Sequence, residues 1–333
     1  MIKCFLGGDY MGNILYIVIP CYNEEAVLPE TAKRLLEKVN ILINEEVISG
    51  GSKILFVNDG SRDKTWGMIQ SLHNENNVFS GINLSRNRGH QNALIAGLMT
   101  AKGVADFTIS LDADLQDDVE VIDKFIEQYY DGSDIVYGVR SSRQTDSFFK
   151  RTTALMFYKL MSKLDVDVIY NHADYRLMSK RALEGLSQFK EVNLFLRGIV
   201  PLIGYKYSIV EYERHERFAG ESKYPLKKMI TFALDGITSF SIKPIRMIAG
   251  LGFFIFFISI IALIYSLIVN FIGKTITGWT SLTISIWMLG GLQILSLGVI
   301  GEYIGKIYKE TKQRPKFIIA DKLIDDKKNK RMD

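Results

Sequence analysis

Apolar residues recur along the first 140 positions in short runs, each closed by a polar cluster. Ile14–Ile19 is a strand pattern ended by Pro20, and Lys53–Val57 is a second, stopped by Asn58-Asp-Gly-Ser61. Val78–Leu84, Phe107–Leu111 and Ile135–Val139 continue the series. Between them, residues 24–40, 64–73, 91–101 and 119–130 carry apolar positions at helical spacing, such as Val27, Leu28, Leu35, Leu36 and Val39. Strand alternating with helix predicts an α/β fold with a mostly parallel, Rossmann-like sheet and right-handed crossovers. Ligands of such sheets bind beyond the carboxyl ends of the strands, where the polar clusters fall.

The pattern changes after residue 223. Tyr224–Ser241 alternates Leu226, Met229, Ile230, Phe232, Ala233, Ile237 and Phe240 with Lys227, Lys228 and Asp235, the spacing of an amphipathic helix at a membrane surface or of a surface helix packed on the domain. Neither Met247–Ile272 nor Thr275–Gly301 contains a charge. A helix of about 23 residues spans roughly 34 Å, enough for the hydrocarbon core, so two membrane spans joined by a short turn are expected, at about 247–272 and 278–301. Lys243 and Arg246 precede the first run, Lys306, Lys309, Lys312, Arg314 and Lys316 follow the second, and only Lys274 lies between. The positive-inside rule puts the N-terminal region and the tail in the cytoplasm. The division expected is a leader over 1–12, a catalytic domain over 13–222, a juxtamembrane helix over 223–244, membrane helices within 245–304 and a basic tail over 305–333. Gly291, Gly298, Gly301 and Gly305 allow close helix approach, either within the hairpin or between copies of the chain.

Charge and cysteine content narrow the class. The chain of 333 residues has a net charge of +4, too little to imply a nucleic-acid partner. From Tyr303 onward ten Lys/Arg face five Asp/Glu, so the excess sits in the tail. Two cysteines, Cys4 and Cys21, make no disulfide framework.

The chemistry concentrates in Ser110-Leu-Asp-Ala-Asp-Leu-Gln-Asp-Asp118, with four carboxylates in seven residues. A helix–loop–helix calcium site counted from Asp112 needs a glycine where Asp117 stands, which excludes it. Asp117 and Asp118 read as charges at the start of the next helix. Asp112 and Asp114, directly after a buried strand, read either as a solvated turn or as hard oxygen ligands for Mg²⁺ or Mn²⁺ with positions left for a substrate phosphate. The four histidines have no zinc spacing, and neither a dinucleotide Gly-x-Gly-x-x-Gly nor a complete phosphate loop occurs.

Other strand ends raise that weak signal. Pro20-Cys-Tyr-Asn-Glu-Glu25, Val57-Asn-Asp-Gly-Ser61, Ser85-Arg-Asn-Arg-Gly-His-Gln91 and Asp112-Ala-Asp114 together resemble the nucleotide-sugar site of family 2 inverting glycosyltransferases of the GT-A fold. So do His172-Ala-Asp-Tyr-Arg176, Asn193-Leu-Phe-Leu-Arg197 and Arg217-Phe-Ala-Gly-Glu-Ser-Lys223. With the membrane hairpin and Lys312-Gln-Arg-Pro315, the chain from Ile14 to Phe317 is similar to the polyisoprenyl-phosphate hexosyltransferase branch, which includes bactoprenol glucosyltransferases and is similar to dolichol-phosphate mannosyltransferases.

The resemblance implies the following. Pro20, Tyr22 and Glu24 line a uridine pocket, Asp59 accepts from the base, and Arg86, Gly89 and Gln116 belong to the donor site. Asp112 lies near ribose and diphosphate, and Asp114 is the direct metal ligand. Asp174 is the family's base, with Arg176 beside it, although a phosphate acceptor that is already ionised leaves Asp174 a positioning role, and an ion pair with Arg176 or Arg197 is its structural alternative. Arg197, Arg217, Ser222 and Lys223 serve substrate, the last three by holding phosphate. The expected reaction is metal-dependent transfer of a hexose, glucose first and GlcNAc second, from a UDP-sugar to a polyprenyl phosphate at the cytoplasmic membrane face, for cell-envelope glycans such as lipopolysaccharide or teichoic acid. A homo-oligomer, a tetramer by resemblance, and a flippase partner complete the expectation. A processive synthase is disfavoured because Gln-x-x-Arg-Trp and further membrane helices are missing; a non-catalytic scaffold is disfavoured by the acids present. Asn58, Arg88 and Asp117-Asp118-Val119 depart from the family pattern, Arg88 being read as a solvated loop residue.

Overall fold

A computed structural model describes residues 12–141, 172–192, 195–213, 243–272 and 278–324. Residues 1–11 of the expected leader, the amphipathic stretch Tyr224–Ser241 and Arg217, Ser222 and Lys223 lie outside the described residues. The chain divides into two compact units, one holding the sheet with residues 315–333 and one holding the long apolar helices.

The first unit is built on eight strands: β1 (Leu15–Cys21), β2 (Lys53–Asn58), β3 (Phe79–Leu84), β4 (Phe107–Ser110), β5 (Ile135–Arg140), β6 (His172–Ser179), β7 (Tyr207–Tyr212) and β8 (Ile319–Leu323). Their order is β7-β5-β6-β4-β1-β2-β3-β8. β1 pairs in parallel with β2 and β4, β2 with β3, and β5 with β7. β6 runs antiparallel between β4 and β5, and β8 antiparallel on β3. The mostly parallel α/β expectation holds.

Central strands are apolar on both faces because helices cover both. Every residue of β1 and β4 is buried. Helices α1 (Leu28–Asn44), α2 (Thr65–Glu75) and α4 (Ile122–Tyr130) share one core with the sheet, while α3 (His90–Ala101) packs on the other face. A Cβ on Gly97 of α3 would lie 2.3 Å from Val18 and 2.7 Å from Val57, so only glycine lets this helix so close. Two short helices follow β6: α5 (Lys180–Leu186) and α6 (Leu196–Leu202).

Pro20 was expected to end β1, yet the strand runs on to Cys21. Val18 accepts from Leu111 on the β4 side, and Pro20, two residues on, faces the same way. β4 has ended there, so the missing N–H breaks no ladder bond.

The second unit contains α7 (Lys243–Phe271) and α8 (Trp279–Thr311), of 29 and 33 residues. Large apolar side chains such as Phe253, Ile261, Leu282 and Ile294 stand exposed along them. Among the described residues, Met288–Thr311 is long and apolar enough to cross a membrane, and Ile245–Ile255 is a shorter apolar stretch. One span is thus met where two were expected. Within the basic tail expected over 305–333, α8 runs on to Thr311 and Ile319–Leu323 forms the edge strand β8.

Candidate active site

Parallel β1, β2, β3 and β4 release their loops at one end of the sheet. β6, running the opposite way, begins at that end, and its first residues therefore face the β4 loop. Ser110 Oγ donates to the Asp174 carbonyl at 2.7 Å, which locks the pair. Within β6, Tyr175 and Leu177 enter the core with α4, so alternation sends Asp174 and Arg176 to the α3 face.

The loops after β1 and β2 are stitched together. Asn23 N–H donates to Ser61 Oγ, Arg62 N–H to Asn23 Oδ1, and Glu24 N–H to Thr65 Oγ1. Pro20 is buried, and Tyr22 and Glu24 are partly exposed beside this seam. Asp59, 2 % exposed, accepts from Arg88 N–H at 2.7 Å and Gly89 N–H at 2.9 Å, one bond to each oxygen. It thereby fixes the β3 loop, and its remaining lone pairs alone are left for a ligand. Burial raises its pKa against the pull of those amides. Gly60, at φ 62°, lets the backbone of Arg86 and Asn87 press within 2.6 Å of where a Cβ would stand. Arg86 and Gly89 are exposed on that loop. Arg88, read as a solvated loop residue, is partly exposed, and its Nε is buried without a hydrogen-bond partner.

The acid loop is held from α1, where Thr31 Oγ1 donates to the Ala113 carbonyl at 2.8 Å. Asp114 is buried and accepts from Gln116 N–H at 3.2 Å, around Leu115 at φ 57°. The Asp112 side chain is 34 % exposed. Its pKa is raised by burial and by the like charges of Asp174 and Asp114, with His90 opposing. Asp118 caps the following turn by accepting from Glu120 N–H, as read from sequence. Asp117 does not join it. It is 3 % exposed, accepts from the Tyr212 hydroxyl and lies 3.8 Å from Arg140, because β5 and β7 end at the same side of the sheet. Burial, then the Asp112 charge, pushes its pKa up to about 6.

Across the loop stands a cationic group. Arg197, in the first turn of α6, donates from Nε and Nη2 to the two oxygens of Asp174, both at 3.3 Å. Arg176 Nη2 lies 3.9 Å from Asp174, and His90 Nε2 lies 3.6 Å from both Asp174 and Asp112. Burial would raise the Asp174 pKa, but Arg197, His90 and Arg176 hold it well below the carboxylate range. For His90 burial works downward, and the two carboxylates outweigh it to about 9. Arg176 is 1 % exposed, and none of its guanidinium nitrogens has a hydrogen-bond partner. The Tyr137 ring lies 5.7 Å from its charge centre, and burial lowers its pKa. Gln91 accepts from Leu196 N–H, tying α3 to α6.

Asp112, Asp114, Asp174, Arg176 and Arg197 thus meet at one strand end, with Pro20, Tyr22, Glu24, Asp59, Arg86 and Gly89 on the adjoining loops. His90, Arg140 and Tyr212 were missed. For His90 a signal existed: it is the first residue of a helix opening at a strand end.

The doubly covered α/β sheet thus gathers acids and arginines at one end. The chain belongs to glycosyl transferase family 2, whose family model matches residues 16–187. It is 57 % identical over 306 residues to the uncharacterized glycosyltransferase YkoT of Bacillus subtilis (strain 168), covering 92 % of this chain and 91 % of that one. It is 41 % identical over 307 residues to the bactoprenol glucosyl transferase of Shigella phage SfV, covering 92 % and 97 %. A solved structure, mannosyl-3-phosphoglycerate synthase from Rubrobacter xylanophilus, aligns at a TM-score of 0.45 and 14 % identity, over 70 % of this chain and 73 % of that one.

Proposed function

We propose that this glycosyltransferase moves a hexose, glucose by preference, from a UDP-sugar to a polyprenyl phosphate at the cytoplasmic membrane face, with inversion. One observation carries the reading: the Asp112–Asp114 loop and the Arg176–Arg197–His90 group face each other around Asp174. Opposed charge of this kind suits a reaction in which both leaving group and acceptor are phosphates. The relative named bactoprenol glucosyl transferase and the exposed apolar helices support a lipid acceptor. We read α7 and α8 as the two-span hairpin expected from sequence.

Asp112 and Asp114 fit a divalent ion. They are hard oxygen donors whose mutual repulsion a cation relieves. Among the described residues no group of three or more His, Cys, Asp or Glu could hold a metal alone. Diphosphate oxygens and water would complete the shell, the usual manner for Mg²⁺. A bound Mg²⁺ or Mn²⁺ supplies Lewis-acid neutralisation of the charge on departing UDP.

The chain's own residues do the rest. Tyr22, Pro20, Glu24 and Asp59 seat the uridine, and Arg197, with Arg217, Ser222 and Lys223, holds phosphate where charge develops. An acceptor phosphate oxygen attacks the anomeric carbon, the bond from that carbon to the diphosphate oxygen breaks, and UDP leaves. With a second pKa near 6, by analogy with phosphorylated side chains, a phosphate monoester arrives largely ionised. Asp174, ringed by cations, therefore positions Arg197 rather than removing a proton.

Membranes containing the chain, incubated with labelled UDP-glucose, UDP-GlcNAc or UDP-galactose, polyprenyl phosphate and Mg²⁺ or Mn²⁺, test this. Label in a metal-dependent, organic-extractable product is expected, and Asp114→Ala abolishes it. No transfer from any of these sugars by folded protein refutes the proposal.

A further inference from the structure

β8 reaches the sheet only after α7 and α8, yet it meets the loop after β3 directly and the loop after β2 through β3. Ser85, which opens the β3 loop, donates its N–H to the Ile318 carbonyl at 2.9 Å. Beyond it a row of side chains crosses three strands. Asn58 Nδ2 donates to Asn83 Oδ1 at 2.7 Å, and Asn83 Nδ2 donates to Asp321 Oδ2 at 2.9 Å. At the other end Asn58 Oδ1 accepts from Ser61 N–H at 3.3 Å, and Ser61 Oγ accepts from Asn23 N–H at 2.9 Å.

The row has a direction. An ionised Asp321 can only accept, which turns the Asn83 amide so that its oxygen faces Asn58. Asn58 must then present its NH₂ to Asn83 and its oxygen to Ser61. An aspartate at 58 would set a carboxylate against the Asn83 oxygen. Asn58 is thereby matched to Asn83 and Asp321. Asn58 is 2 % exposed, so a broken link there leaves a buried polar group unpaired.

We infer that Asp321, through Asn83 and Asn58, is a positioning residue that holds the Asn58–Ser61 and Ser85–Gly89 loops in their donor-binding arrangement. The post-membrane strand is a working part of the nucleotide site. This inference rests on the donor reading above only for the identity of the nucleotide.

The test uses the full-length chain in detergent. Asp321→Ala is expected to speed amide hydrogen exchange in peptides covering Asp59–Arg62 and Ser85–Gly89 about fivefold, the equivalent of one modest hydrogen bond. Donor KM rises by a similar factor with kcat unchanged. Lys322→Ala, on the same exposed strand, changes neither. Asn83→Asp places two carboxylates together and is as damaging as Asp321→Ala. Combining Asn83→Asp with Asp321→Asn restores a donor facing an acceptor and returns exchange to the native rate. Unchanged exchange in Asp321→Ala, an equal effect of Lys322→Ala, or failure of the double exchange to rescue Asn83→Asp each overturns the inference. Exchange needs no nucleotide, so its result stands whether or not the wild-type chain uses UDP-sugars; titration with UDP judges that reading separately.

Discussion

Arg176 and Asp174 form an ion pair whose members should behave oppositely when removed. Arg176 is 1 % exposed, lies 3.9 Å from Asp174 and has no hydrogen-bond partner for any of its guanidinium nitrogens. Replacing it with methionine forfeits one Coulomb contact of about 4 kcal/mol at an effective dielectric near 20. The same change frees the fold of buried N–H groups that each cost roughly 1–3 kcal/mol unpaired. Asp174 keeps Arg197 and His90 as counter-charges. The terms nearly cancel, so Arg176→Met is expected to unfold within about 2 kcal/mol of wild type, in line with buried pairs replaced by apolar residues.

Asp174→Asn goes the other way. The amide can still accept from Arg197, but Arg176 is left charged, buried and without its carboxylate, a loss of about 3–5 kcal/mol. At about 2–4 °C per kcal/mol for a domain of this size, the thermal midpoint should fall by about 6–20 °C, and that of Arg176→Met by no more than about 4–8 °C. Thermal unfolding of the detergent-purified chain reads both. Sugar transfer drops in both variants by about 10²-fold or more, as when a preorganised charge is removed from a site. If Arg176→Met melts as early as Asp174→Asn, the guanidinium is a structural keystone and the reasoning fails.

Gly60→Ala should weaken UDP binding at least tenfold in calorimetry, since φ 62° disfavours any Cβ and the backbone of Arg86 and Asn87 lies 2.6 Å from it; native affinity would contradict the packing argument. Tyr212→Phe removes the hydroxyl that donates to buried Asp117 and should cost about 1–3 kcal/mol, read as a lower thermal midpoint. Lys38, 4 % exposed, meets Glu120 at 2.7 Å and Asp123 at 2.9 Å. Burial works against its charge, yet the two carboxylates outweigh it and the pKa is raised. The stabilisation is then complete below the unfolded lysine value of about 10.4 and is lost as pH climbs through the folded one. Lys38→Met should remove the part of the alkaline loss of stability that begins above about pH 10.5, seen in melts between pH 8 and 11.

The parallel half of the sheet was legible because burial on both faces writes continuous apolar runs, and the loops after β1 to β4 carry distinctive polar residues. β6 is a different case. Ala173, Tyr175 and Leu177 alternate with Asp174 and Arg176, which is a strand signal. Such alternation ordinarily means one face in water, and here the polar face is turned inward, against α3 and α6. Asp117 was misread for the same reason: two adjacent acids look alike in sequence, and only the arrival of Tyr212 and Arg140 from β5 and β7 separates them. β8 was hidden by its neighbours, since Ile319–Leu323 is short and embedded in a basic tail. These failures have one physical origin. A site that must hold opposed charges out of water breaks the rule that polar positions face solvent, so the pattern is least readable at the residues on which the proposed reaction depends.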